Sequence, residues 1–133
     1  MTRPATVSID LPGAPGAVWA AITDPDRLAG WFWPPRLAPV VRLAGPAFEI
    51  AGEGIAVGGR VLAVDPGRRL ELDWRWAGEA AGSTVAVELE PRGAGTRVTV
   101  RHAGLADEAA VADHERGWRD CLTRLAAALS VAG

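Results

Sequence analysis

A chain of 133 residues, nearly half of them apolar and with a formal charge of −2, is expected to form one domain over residues 1–133. Such a domain buries about two thirds of its unfolded surface, which excludes a disordered chain, and the mixed, slightly acidic charge argues against a nucleic-acid partner. A single cysteine, Cys121, excludes an internal disulfide, and the start of the chain has no apolar run long enough for a signal peptide or membrane span, so a soluble, cytoplasmic protein with no membrane partner is expected.

Residues Ala5 to Leu11 alternate, with Val7, Ile9 and Leu11 on one face and Thr6, Ser8 and Asp10 on the other, the pattern of a half-buried strand that Pro12-Gly13 ends. Pro15 suits the first turn of a helix carrying Val18, Trp19 and Ile22. Asp24-Pro25 reads as an N-cap followed by proline at the first helical position, opening a second short helix that bears Leu28, Trp31 and Phe32. Pro34, Pro35 and Pro39 stop it and rule out regular helix for several residues.

From Val40 to His102 the period is two. Val40 to Leu43 and Ala47 to Ile50 are short strand candidates, Gly52 to Gly59 reads as a turn, and Val61 to Val64 as a further strand before the turn signal Asp65-Pro66-Gly67. Leu70, Leu72, Trp74 and Trp76 then share one face, Val85, Val87 and Leu89 repeat the pattern, and Val98, Val100 and His102 do so again after Arg92 to Gly95. Strands of this kind joined by short turns imply an antiparallel sheet with one dry and one wet face. On the wet face, Glu88 is expected to pair across strands with Arg97 and Arg101.

The chain closes on a long helix from Asp107 to Val131, with Asp107 as cap and Val111, Trp118, Leu122, Leu125 and Leu129 within one apolar stripe. Glu115 with Arg119, and Asp120 with Arg124, stand four residues apart in the favoured order for ion pairs. Gly117 costs about 1 kcal/mol in a helix interior unless close approach of another element compensates. The sheet is expected to wrap this helix, leaving function to the space between them.

A series of short motifs runs through Val18-Trp19-x-Ala21-x-Thr23-Asp24-Pro25, Trp31-Phe32, Gly59-x-Val61-Leu62-x-Val64-Asp65-Pro66, Arg69-Leu70 and Trp74-x-Trp76. It continues through Ser83-Thr84-Val85, Gly95-Thr96-Arg97-Val98-Thr99-Val100-x-His102-x-Gly104 and His114-x-x-Gly117-Trp118. In these motifs and their order the chain resembles the activator-of-Hsp90-ATPase-like branch of the START-like ligand-binding superfamily. One departure is local: where the family often shows Gly-Gly-Arg-Phe at a strand start, this chain has Ala44-Gly45-Pro46-Ala47-Phe48-Glu49. The resemblance implies an α+β helix-grip (START-like, Bet v 1-like) fold, a curved antiparallel sheet around a long C-terminal helix with two short helices after the first strand. It also implies an apolar cavity between sheet and long helix.

Within that frame Trp74, Trp76 and Trp118 are ligand contacts or plain core, since indoles combine large apolar area with one donor. Trp31, Phe32 and Trp33 are expected to be half-exposed, either gating a cavity mouth or covering the sheet. His102 faces inward and His114 flanks the helix stripe, each a proton-transfer group or a satisfied core polar group. Glu115 is expected to turn outward to Arg119. Cys121 lies seven residues beyond His114, about 10.5 Å along the helix, too far for a thiolate-imidazole pair, so it reads as a buried inert thiol. No spacing fits a metal, nucleotide or other cofactor site, and no catalytic constellation stands out.

The leading expectation is non-enzymatic binding of a small hydrophobic or aromatic ligand by Trp31, Trp74, Trp76, Val98, Val100, His102, His114, Trp118 and Leu122. A space packed solid, with Trp118 wedged between Trp74 and Trp76, would speak against it. The resemblance also implies two alternatives, an aromatase/cyclase-like enzyme using His102 or His114 in the same cavity, and a protein-interaction module with a chaperone partner. A homodimer is also compatible with the sequence.

Overall fold

The computed structural model describes residues 2–132, with side chains over residues 2–130. Strand β1 (Ala5–Leu11) leads into helices α1 (Pro15–Thr23) and α2 (Pro25–Ala29) and a 3-10 turn at Pro35–Leu37. Strands β2 (Val40–Ala44), β3 (Ala47–Gly52), β4 (Ile55–Asp65), β5 (Arg69–Trp76), β6 (Ser83–Arg92) and β7 (Gly95–Ala103) follow, and helix α3 (Glu108–Ala132) closes the chain. The seven strands form one antiparallel sheet in the order β1-β7-β6-β5-β4-β3-β2, so the first strand pairs with the last and β2 lies at the far edge. This is the α+β helix-grip arrangement expected from the sequence.

Alternation builds the dry face. On β7, Thr96, Val98, Val100 and His102 are buried, and on β1 Ala5, Val7 and Leu11 are buried while Thr6, Ser8 and Asp10 are exposed. The α3 stripe covers this face, but in two parts. Trp118, Cys121, Leu122 and Leu125 join the main core, whereas Val111 packs with Ala5 and Leu105 in a separate small cluster. Asp107 caps the helix as expected, accepting the Ala110 amide at 2.8 Å, and Asp24 caps α2 by accepting from Asp26 and Arg27.

Several local expectations are corrected. Helix α2 ends at Ala29, so Trp31 and Phe32 lie beyond it, in irregular chain running into Pro34. Nor is the Trp31-Phe32-Trp33 segment half-exposed. All three side chains are buried, because Trp31 Nε1 donates to the Ala21 carbonyl (3.0 Å) while Arg124 of α3 donates to the carbonyls of Trp31 (3.0 Å) and Phe32 (2.8 Å).

The stretch Gly52 to Gly59 is mostly strand: only Glu53-Gly54 turns, and β4 begins at Ile55. Gly59 suits strand here because a Cβ would collide with the backbone carbonyl and carboxylate of Asp73, which crosses over to accept the Arg60 amide at 2.6 Å. Beyond it β4 bulges. Val61 opposes Leu72 and Val64 opposes Leu70, leaving Leu62 extra, so Val61 and Val64 fall on the same face of the sheet although three residues apart.

The ion pairs also differ from expectation. Glu88 pairs with Arg69 on β5, and Arg97 reaches Asp10 on β1 at 2.8 Å, because Glu88 stands opposite Arg69 and Thr99 in the register. Glu115 turns to Arg3 (2.8 Å) and the Thr6 amide (3.2 Å) rather than Arg119, and Arg124 turns to the backbone carbonyls rather than Asp120. These pairings tie the chain start and the tryptophan segment to α3. Among the described residues no helix is long and apolar enough to cross a membrane.

Candidate functional site

The space between sheet and α3 is not packed solid. An inner cavity of about 240 Å³ lies between α1, the sheet and α3, with Trp19 and Ile22 on one side, Phe48, Leu72 and Val98 on the sheet, and Trp118 and Leu122 on the helix. Its lining contains no charged residue, and the one hydroxyl, that of Thr23, is solvent-exposed and donates to the Trp19 carbonyl (2.7 Å). Leu43 and Val64 also line the cavity while 54% and 53% exposed, which marks its mouth at β2 and the bulged end of β4.

A second hollow, an outer cleft of about 440 Å³, lies against the first half of α3, lined by Trp33, Trp76, His114, Gly117 and Arg124 among others. The two share one wall, since Phe32, Trp74 and Trp118 line both. These three rings form a triangle, with centroids 5.2 Å (Trp74–Trp118), 5.9 Å (Phe32–Trp118) and 6.0 Å (Phe32–Trp74) apart. Trp76 instead stands edge-on to Trp74 (5.9 Å, 85°) and near-parallel to Trp33 (6.3 Å, 17°), so Trp118 is not wedged between the two strand indoles. Gly117 leaves the cleft open: a Cβ there would meet nothing within 4 Å, so no close approach explains the residue.

Of the residues singled out by sequence, Trp31, Trp74, Val98, Val100, Trp118 and Leu122 line the inner cavity, and Trp76 and His114 line the outer cleft. His102 lines neither. Sequence reading passed over Trp19, Ile22, Phe48, Leu43, Val61 and Val64. The signal for Trp19 and Ile22 was present in the apolar face of α1, whereas Leu43 and Val64 depend on the bulge and on the sheet edge.

The hydrogen-bond partners of the two histidines fix the tautomer of each ring. An indole N–H only donates and a backbone carbonyl only accepts, so each tautomer follows from its bonds. Trp118 Nε1 donates to His102 Nδ1 (3.0 Å), which places the proton on Nε2, facing Ser83 Oγ (2.7 Å). Ser83 in turn donates to the Trp74 carbonyl (3.2 Å). In His114 the arrangement is reversed, with Nδ1 donating to the Ala110 carbonyl (2.7 Å) and Nε2 accepting from Trp76 Nε1 (3.2 Å). A second proton on His102, at Nδ1, would face the Trp118 indole N–H. Burial, with a smaller contribution from His114 whose ring lies 4.7 Å away, lowers the His102 pKa to about 3.

Two further groups complete the site. Cys121 donates its thiol to the Phe32 carbonyl (2.9 Å), and burial pushes its pKa up to about 11 although Arg124 acts in the opposite direction, which makes it an inert thiol. Trp74 is 3% exposed, and its Nε1 is, among the described residues, the buried side-chain nitrogen without a hydrogen-bond partner. Leaving such a donor unanswered costs roughly 1–3 kcal/mol. Among the described residues, no group of three or more His, Cys, Asp or Glu is placed to hold a metal ion.

Comparison with known proteins places the fold. The chain is similar to DynU16, a putative protein in the dynemicin biosynthetic locus, at 26% identity and a TM-score of 0.86, over 99% of this chain and 49% of that one, so it spans about half the length of that relative. It is also similar to protein CV1439 from Chromobacterium violaceum, at 26% identity and a TM-score of 0.82, covering 95% of this chain and 96% of the other. The AHSA1 protein SPO3351 from Silicibacter pomeroyi matches at 25% identity and a TM-score of 0.77, over 97% and 100% of the two chains. No curated protein is matched by the sequence. A family model, Activator of Hsp90 ATPase homolog 1-like protein, matches residues 13–130, nearly the whole chain. The chain belongs to the activator of Hsp90 ATPase homolog 1-like family.

Proposed function

We propose that this protein binds a small apolar, ring-containing ligand in the inner cavity, without catalysing its conversion. The observation that carries the reading is the void itself, about 240 Å³ enclosed by uncharged side chains between sheet and α3. An apolar cavity of ~150 Å³ accepts benzene, so this one has room for a bicyclic molecule. At roughly 24 cal/mol per Å³ a void of this size forgoes up to about 6 kcal/mol of packing relative to a filled core, a share of which an enclosed ligand restores. The apolar mouth at Leu43 and Val64 gives such a ligand an entry route that passes no charge.

The histidines lend no support to an aromatase/cyclase-like reading. All four ring nitrogens are engaged within the protein, and His102 does not border the cavity. The test is calorimetric titration with naphthalene, beside a Val87→Phe variant that places a larger ring in the cavity lining. Saturable binding to the wild type, weakened at least tenfold in a variant that keeps its cooperative unfolding, supports the proposal. Absence of binding, or equal binding by both proteins, overturns it.

A further inference from the structure

The outer cleft has no part in the binding proposed above, and its lining differs in kind from that of the inner cavity. Part of it is aromatic. Trp33 and Trp76 line it with their rings near-parallel, 6.3 Å apart at an interplanar angle of 17°, and Trp76 is held by the bond from its Nε1 to His114 Nε2 (3.2 Å). The charged residues that line the cleft are Glu79, just after β5, and Asp113, Asp120 and Arg124 on α3. Arg124 is turned to the protein, donating to the carbonyls of Trp31 and Phe32. Asp113 pairs with Arg116, whereas Glu79 and Asp120 enter none of the ion pairs among the described residues. The cleft therefore keeps a carboxylate in excess even when Arg116 is counted. Gly117 is a separate observation. Glycine is unfavourable inside a helix, and here the space its side chain would fill is empty and borders the cleft.

We propose that the outer cleft is a second binding site, which takes an organic cation: an ammonium group carried on an apolar or aromatic body. The body packs against Trp33 and Trp76, and Gly117 leaves room for it beside α3. The ammonium group is drawn by Glu79 and Asp120. Indole rings attract cations more strongly than other aromatic side chains do, and uncompensated carboxylates around a cleft add attraction at longer range. An anion meets the opposite field, and the cation nearest to it, Arg124, already donates to two carbonyls. At about 440 Å³ the cleft lies within the ~300–1,000 Å³ range of small-molecule sites.

The test uses phenethylammonium, 2-phenylethanol and phenylacetate, which share a ring and nearly equal size and differ in charge, titrated calorimetrically at neutral pH and low salt. Phenethylammonium is expected to bind saturably and roughly tenfold more tightly than 2-phenylethanol, with phenylacetate weakest of the three. That preference is expected to fall roughly threefold or more in a Glu79→Gln, Asp120→Asn double variant, whose two positions are solvent-exposed. It is expected to fall likewise in the wild type at about 1 M salt, where charges are screened within ~3 Å, a readout that needs no variant. NOEs from the phenethylammonium ring are expected to reach the Trp33 and Trp76 rings and the Gly117 Hα, and to persist in the Val87→Phe variant, whose substitution lies in the inner cavity. Absence of saturable phenethylammonium binding, a preference unchanged by the double variant or by salt, or NOEs confined to inner-cavity residues such as Val98 and Leu122 overturns the proposal.

Discussion

Buried, neutral His102 gives the fold a specific sensitivity to acid. Its ordinary pKa of 6.5 applies to the unfolded chain, and burial lowers the folded value to about 3. The folded state therefore binds fewer protons than the unfolded state between these values, and stability present above pH 6.5 is lost as pH falls towards 3. At pH 5 the unfolded imidazole lies 1.5 units below its pKa, which at about 1.36 kcal/mol per unit gives roughly 2 kcal/mol. With an unfolding entropy of ~2.1 cal/mol/K per residue over 133 residues, that is a fall in Tm of about 7 °C between pH 7 and pH 5. The comparison is a His102→Asn variant, whose amide oxygen can accept from Trp118 but does not titrate. Asp10 and Glu115, held below their ordinary range by Arg97 and Arg3, have the same sign but act at lower pH and in both proteins. Differential scanning calorimetry is expected to show a pH 7 to 5 drop about 7 °C smaller in the variant. Equal drops, or direct NMR titration showing that the wild-type ring protonates above pH 5, would refute the argument.

Three further outcomes follow from the same geometry. Gly117→Ala adds a methyl where nothing stands within 4 Å, and is expected to stabilise α3 by about 1 kcal/mol, raising Tm by roughly 3 to 4 °C in a thermal scan. Arg124→Met removes the cation that holds the Trp31 and Phe32 carbonyls, and is expected to cost about 3 kcal/mol in urea unfolding and to increase acrylamide quenching of tryptophan fluorescence. Cys121, buried and with its pKa pushed up to about 11, is expected to resist an aromatic disulfide reagent until denaturant is added, with one thiol then titrating per chain.

The parts of this fold legible in the sequence are those set by local periodicity. Strands β5 to β7 are dry on one face, so Leu70 to Trp76, Val85 to Leu89 and Val98 to His102 announce themselves by alternation. The α3 stripe does so by helical spacing. What escaped reading depends on register. One extra residue at Leu62 turns Val64 to the cavity face, yet a bulge leaves no mark in composition. Gly58 and Gly59 look like turn residues, whereas Gly59 is needed for the close approach of Asp73. Glu115 had Arg119 within its own helix and chose Arg3, 112 residues away, because β1 lies alongside α3.

The candidate site divides in the same way. Trp74, Trp118, Val98 and Leu122 face inward by local pattern, so their share of the cavity wall was readable. The burial of Trp31 to Trp33 was not, since it depends on hydrogen bonds from Arg124, more than ninety residues on. The mouth at Leu43 and Val64 combines an edge strand with a bulge, and the unmatched Trp74 N–H is a property of the assembled core.

The most direct test of the account is to locate a bound ligand. Intermolecular NOEs from naphthalene to isotope-labelled protein are predicted to reach the Val98, Val100 and Leu122 methyl groups and the Trp118 ring, all of which line the inner cavity. NOEs confined to Trp33 and Pro34 in the outer cleft, or to residues outside both hollows, would contradict it.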